Sequence, residues 1–379
     1  MIQRGQIDSR AFRTKRNFML ARLSEAARPL LAGAASAAAR GRPTDPRKWQ
    51  SGLIISHTHI GDVLYRTCSL QLLAESLPDC RWSYLVSPQS AGVLEGNPAV
   101  AENLPFVTGE NSWDISSGSF LELRRKKFDA VLCTNTLRHY PDLLLAAALG
   151  VPNRVGYVGK GMSGLITHPV DFNYPRPYPA YFRSLVEMVA GKNSDAPLRP
   201  QVYPDDAHRR EAVAVREKVG LTQRPVLACT LSTRQGSGAV SSHVFISILK
   251  AAKRLGDFDV AFCGSADERD ALSRIAVSLP FEVKILAGEL SILGFAAFLA
   301  SCFALLAPDS GPRHLGNAAG IPVFFARNLS QLAVETGKYC ETETDIVPAG
   351  FELVDAAGVP RVEQAIDVRA CAESIVRSV

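Results

Sequence analysis

The stretch that most restricts the fold is Leu305-Leu306-Ala307-Pro308-Asp309-Ser310-Gly311-Pro312-Arg313-His314-Leu315-Gly316-Asn317-Ala318-Ala319-Gly320-Ile321-Pro322-Val323-Phe324-Phe325. An apolar run, a polar turn, a short mixed run and a second apolar run follow in that order. The apolar runs read as buried strands and the piece between them as a helix. Ser310 suits the N-cap, and Pro312 the first helical turn, where a missing N–H costs nothing. Gly311 lets the backbone come close to a ligand. Free N–H groups at such a helix start favour an anion, most often a phosphate. Asp309 and His314 flank that point.

The same strand–helix rhythm runs through most of the chain. In the first half, strands are expected at 52–56, 82–86, 129–133 and 154–157, with helices at 63–77, 91–94, 120–127 and 140–149. Four prolines between 169 and 179 end the alternation. A helix at 181–190 follows, and the polar stretch 191–204 reads as the interdomain crossing. In the second half, helices are expected at 206–219, 242–255, 267–278, 292–301 and 362–379, and strands at 225–230, 259–263 and 281–286. Strands alternating with helices imply parallel sheets covered on both faces, an α/β fold. A chain of 379 residues suits two such domains, at 51–200 and 201–379, behind an extension at 1–50. The longest uncharged run, 290–308, just reaches the length of a membrane span. It contains Ser291, Gly294 and Ser301 and divides into a helix and a strand, so it reads as core.

The net charge of +5 sits at the N-terminus. Residues 1–50 hold eleven Lys/Arg against three acids, a net +8, which leaves −3 for the remainder. A mildly acidic body argues against nucleic-acid binding. Within the tail, 13–39 has helical apolar points (Phe18, Met19, Leu20, Leu23, Leu30, Leu31) interrupted at Pro29. Residues 1–48 are therefore a candidate for peripheral contact with an anionic membrane, and 42–46 reads as a linker. The eight cysteines form no CxxC and no metal-spaced cluster. Cys133, Cys229, Cys263 and Cys302 lie in or beside apolar runs, as buried thiols in a reducing compartment would.

Ligands in open α/β sheets bind beyond the carboxyl ends of the strands. Three loops placed there carry chemistry. The first is His57-Thr58-His59-Ile60-Gly61-Asp62. Gly61 lets the chain pass near a substrate. A helix start holds Asp62 ionised and fit to accept a proton, although an N-cap role would also explain it. The second is Ser232-Thr233-Arg234-Gln235-Gly236-Ser237-Gly238-Ala239-Val240. Its hydroxyls, guanidinium and unhindered N–H groups are the parts of a phosphate cradle. It is neither a P-loop nor a full GxGxxG fingerprint. The third is the turn at 309–314. Between the last two, Asp267 could bind ribose hydroxyls or cap a helix. The one DxD triplet, Asp257-Phe258-Asp259, enters a strand instead of leaving one and is not read as a metal site.

Gly61-Asp62-Val63-Leu64 and its helix resemble the N-terminal motif of glycosyltransferase family nine, the ADP-heptose:lipopolysaccharide heptosyltransferases. Asp309-Ser310-Gly311-Pro312-Arg313-His314-Leu315, with Ala318-Ala319-Gly320-Ile321-Pro322 after it, is similar to their C-terminal motif. Cys263-Gly264-Ser265 falls between the two in the family's order. The resemblance spans roughly 52–325 and implies a GT-B fold, two Rossmann-like domains facing a cleft. It implies Asp62 as the general base for inverting attack on the anomeric carbon, with His59 and Gly61 on the acceptor side. Donor binding would fall to Ser232, Thr233, Arg234, Gly236, Gly238, Asp267, Asp309, Ser310, Gly311, Pro312, Arg313 and His314. The implied donor is a nucleotide-sugar such as ADP-heptose, a co-substrate and not a resident cofactor, with no obligatory metal. The implied acceptor is a lipopolysaccharide core or other surface glycan. The location this resemblance implies is the cytoplasm, with peripheral contact at the inner face of the cytoplasmic membrane as the expectation for the tail. Two segments depart from the family pattern. Gly238-Ala239-Val240-Ser241 stands where many members carry Lys-x-Trp-Pro, and Ala326-Arg327-Asn328-Leu329 where a Gly and a Thr-x-Pro turn are usual. The missing Lys motivates the alternative of a glycan- or nucleotide-binding scaffold. A nucleotide-sugar epimerase would share the fold.

Overall fold

A computed structural model of the chain describes residues 43–56, 59–105, 108–109, 112–113, 118–134, 141–158, 163–221, 223–231, 239–349, 351 and 365–379. The basic helix expected at 13–39, His57, and the cradle residues Ser232, Thr233, Arg234, Gly236 and Gly238 lie outside them. Two compact units are present. The first takes Met1–Ser56, Leu77–Leu85 and Phe106–Phe172, the second His57–Ser76, Val86–Pro105 and Asn173–Val379.

In the first unit the strands Arg81–Val86, Ser51–Ile55, Ala130–Cys133, Asn153–Tyr157 and His168–Val170 lie side by side in that order, every pair parallel. Leu53, Ile54 and Ile55 of the central strand are fully buried, as a sheet covered on both faces requires. His168–Val170 is a strand that the proline count argued against. It forms because it is an edge strand, where Pro169 costs no ladder hydrogen bond. The described part of the 42–46 stretch read as linker, residues 43–46, is instead tied down. Thr44 N–H donates to Asn153 Oδ1 at 2.7 Å, and Trp49 Nε1 donates to Thr44 Oγ1 at 3.2 Å. Trp49 is 1% exposed and meets His168 edge-on.

In the second unit six parallel strands run in the order Lys284–Ile285, Asp259–Phe262, Val226–Cys229, Ala304–Pro308, Val323–Ala326, Glu343–Asp345. The helices Ser242–Leu255, Arg269–Val277, Ile292–Leu299 and Gly311–Ala319 connect them. Their starts are set locally: Ser241 accepts from His243 N–H, and Ser291 accepts from Gly294 N–H. The second core is built on Phe245, Ile248, Phe258, Phe262 and Leu306, and the terminal helix Val368–Val376 closes it with Ile375. The uncharged run 290–308 is a helix and a strand, and no helix among the described residues is long and apolar enough to cross a membrane.

The single helix expected at 63–77 is two, Ile60–Arg66 and Leu70–Ser76, separated by a 3-10 turn at Thr67–Ser69. Polar pairing at the break explains this. Thr67 Oγ1 donates to Leu64 O at 2.6 Å and accepts Gln201 N–H at 2.8 Å, while Ser69 Oγ accepts from the buried Arg183 Nε at 2.7 Å. Those side-chain bonds to distant residues outweigh the continuous helix that periodicity suggests.

Candidate active site

A pocket of about 950 Å³ lies in the second unit, at the carboxyl ends of its strands. Among the residues that line it are His59, Gly61, Asp62, Tyr65, Thr230, Asp267, His314 and Tyr339, and every residue of the 309–314 turn. Two motifs far apart in sequence therefore share one wall. Their contact depends on glycine on both sides. A Cβ on Gly61 would lie 3.1 Å from His314 Cδ2 and 3.5 Å from Gly311 N, and one on Gly311 would lie 3.3 Å from Ile60 Cγ2. Each glycine thus permits the helix starts Ile60–Arg66 and Gly311–Ala319 to touch.

Asp62 is in the first turn of its helix. His59 N–H donates to its Oδ2 at 3.3 Å and Tyr65 OH to its Oδ1 at 2.9 Å. The capping role and the chemical role are thus both available to one carboxylate. Tyr65 is buried, stacked on Tyr178 with ring centres 5.9 Å apart, and edge-on to His314 at 5.7 Å. Burial pushes its phenol well above the ordinary value, so it stays a donor.

The 309–314 turn divides its labour. Ser310 stands at the N-cap but does not cap: its hydroxyl donates back to Pro308 O at 3.3 Å. Arg313 is 1% exposed, and its five N–H donors have protein acceptors. Nε and Nη2 reach Glu343, Nη1 reaches Asp309 Oδ1 at 2.8 Å and Thr336 O, and Nη2 also reaches Gly337 O. The guanidinium lies 3.5 Å above the Phe325 ring centre. Arg313 therefore fixes Asp309 and the strand Glu343–Asp345 and has no N–H left for a ligand. His314 faces the pocket. Burial first, then the Arg313 charge, push it down to about 3 against the pull of Glu343, so the ring is neutral.

Asp267 lies exposed on the pocket rim, after Gly264 and Ser265. The DxD acids sit at the opposite strand end, where Arg224 binds Asp257 at 2.9 Å and Asp259 at 3.0 Å. Sequence reasoning did not find Tyr65, Thr230, Asn317, Tyr339 or Glu343. Only Glu343 left a trace, the alternation Thr342-Glu343-Thr344-Asp345, which a strand reading would have noticed.

Comparisons with known proteins agree with this architecture. Residues 120–324 match the family model described as Glycosyltransferase family 9 (heptosyltransferase). Lipooligosaccharide heptosyltransferase 2 of Haemophilus influenzae is 23% identical over 285 residues, covering 72% of this chain and 81% of that protein. Lipopolysaccharide heptosyltransferase 2 of Escherichia coli is 23% identical over 288 residues, covering 72% and 80%. Among solved structures, a family 9 glycosyl transferase from Veillonella parvula superposes with a TM-score of 0.72 at 17% identity, over 89% of this chain and 99% of that one. The E. coli ADP-heptose lps heptosyltransferase II gives 0.66 at 19% identity, over 86% and 98%. Both share the fold.

Proposed function

Because this chain belongs to glycosyltransferase family 9, we propose that it moves a heptose-type sugar from an ADP-linked donor to a lipopolysaccharide-core acceptor, with inversion. One observation carries the reading: Asp62 and the 309–314 turn line the same pocket. In this reading Asp62 takes the proton of an acceptor hydroxyl. The hydroxyl oxygen bonds to the anomeric carbon as the bond to the diphosphate breaks, and ADP leaves with that electron pair. His59 N–H and Tyr65 OH hold the carboxylate in place. Asp309 and the start of helix Gly311–Ala319 receive the sugar and the diphosphate. Asp267 takes the ribose, and the loop 232–238 completes the phosphate contacts. The relatives' names support the sugar and the acceptor class. An acceptor of that kind is membrane-bound, and the basic tail would bring a cytoplasmic enzyme to the anionic inner leaflet.

The test is transfer from ADP-heptose to a lipopolysaccharide acceptor lacking core heptose, with products identified by mass. Asp62→Ala should abolish transfer while ADP still binds. Near-normal turnover by that variant would remove Asp62 as the base. Sugar conversion without any acceptor would favour an epimerase. A chelator such as EDTA should leave the rate unchanged, and a metal-dependent rate would overturn the charge assignment.

A further inference from the structure

We propose that Tyr339, oriented by Asn317, is a positioning residue that sets His314 as a hydrogen-bond donor through Nε2, aimed at the diphosphate of the nucleotide-sugar.

The argument begins with a buried amide. Asn317 is fully buried, and its Oδ1 accepts from Thr342 Oγ1 at 2.8 Å. Its Nδ2 donates to Glu343 Oε1 at 2.7 Å and to Tyr339 OH at 3.0 Å. Glu343 is ion-paired with Arg313 and so offers only acceptors. The amide nitrogen must therefore face it, which fixes the amide orientation and leaves Tyr339 OH as a hydrogen-bond acceptor from Asn317. The phenol's own proton then goes to its other close partner, His314 Nδ1, at 2.5 Å. Burial, aided by Glu343, keeps that phenol protonated.

With Nδ1 accepting, a neutral imidazole carries its proton on Nε2. That edge of the ring faces the 60–66 helix. Nε2 is 3.5 Å from where a Gly61 Cβ would stand, on the pocket wall, and no acceptor for it is found among the described residues. A donor at this place is useful because the helix start is short of them. Pro312 has no N–H, and Arg313 N–H returns to Ser310 O at 3.1 Å. A diphosphate oxygen is acceptor-only and takes a fixed N–H well. The ligand half of the inference rests on the nucleotide-sugar reading; the tautomer does not.

The experiment uses the full chain labelled with ¹⁵N-histidine, with His314 assigned by its loss in His314→Gln. At pH 7 the long-range ¹H–¹⁵N spectrum should show His314 neutral, with Nδ1 bare and Nε2 protonated. Tyr339→Phe should give mixed tautomers and weaken ADP binding about tenfold by calorimetry, the scale of one hydrogen bond to a charged group. A wild-type His314 that is charged, or protonated on Nδ1, overturns the inference even if Tyr339→Phe does not fold. So does a Tyr339→Phe spectrum identical to wild type. If the tautomers behave as stated but ADP binds both proteins equally, the diphosphate contact is overturned. If ADP binds neither, the nucleotide-sugar reading falls while the tautomer assignment stands.

Discussion

The hydroxyl of Tyr65 donates to Asp62 Oδ1 at 2.9 Å, one helical turn away, while its ring lies between Tyr178 and His314. The residue thus connects the acid at one motif with the imidazole of the other. Tyr65→Phe keeps the stack and removes only the hydroxyl. We expect kcat to fall about tenfold, with KM for the nucleotide-sugar and the melting temperature nearly unchanged. An unchanged kcat would mean that the phenol does not help to hold the base.

Gly61 tolerates no side chain without movement, because a Cβ would lie 3.1 Å from a His314 ring that Tyr339 holds. Gly61→Ala should cost about 1–3 kcal/mol of stability, the usual scale of overpacking, or else separate the two helix starts and weaken ADP binding. Denaturant titration and calorimetry together distinguish these outcomes. Wild-type values in both would show the contact to be loose.

Arg313→Leu leaves Glu343 and Asp309 buried without their cation. Breaking a buried pair on one side costs about 3–5 kcal/mol, so the melting temperature should drop sharply. Arg313→Lys should not rescue it, because one ammonium cannot reproduce a planar fork that meets two carboxylates and two carbonyls. Full rescue by Lys would make charge alone sufficient.

Acid should destabilise the fold through His314. The unfolded chain takes up this proton near 6.5, the folded protein only near 3, because burial and then Arg313 oppose it. Stability is therefore greatest above 6.5 and falls as pH drops from there towards 3. The limiting slope for one proton is about 1.4 kcal/mol per pH unit. Urea midpoints at pH 7, 6 and 5 measure it. His314→Gln should flatten the profile; an equal slope in that variant would assign it elsewhere.

The basic tail is to be tested by truncation before residue 43. Deletion to residue 48 would remove Thr44, which bonds Asn153, and disturb the buried Trp49. Removing 1–42 should instead lower binding to anionic liposomes in a salt-sensitive way and spare folding. Undiminished binding would exclude the tail as the anchor.

What the sequence determined by itself is local. Strand and helix periodicity, the caps at Ser241 and Ser291 and the left-handed Gly320 after helix Gly311–Ala319 are decided by neighbours a few residues apart. They specified the alternating α/β order and the candidates Asp62, Asp309 and His314. Other outcomes depended on partners far along the chain. Helix 63–77 broke because Thr67 and Ser69 are claimed by Gln201 and Arg183. Arg313, a candidate donor contact on its motif alone, is consumed by Glu343 and the carbonyls of Thr336 and Gly337. Ser310 kept its place at the cap but turned its hydroxyl to Pro308. The approach of Gly61 to Gly311 and the chain Asn317–Tyr339–His314 have no local pattern at all. Burial decides such pairings, because a polar group removed from water must find a partner wherever the folded chain supplies one.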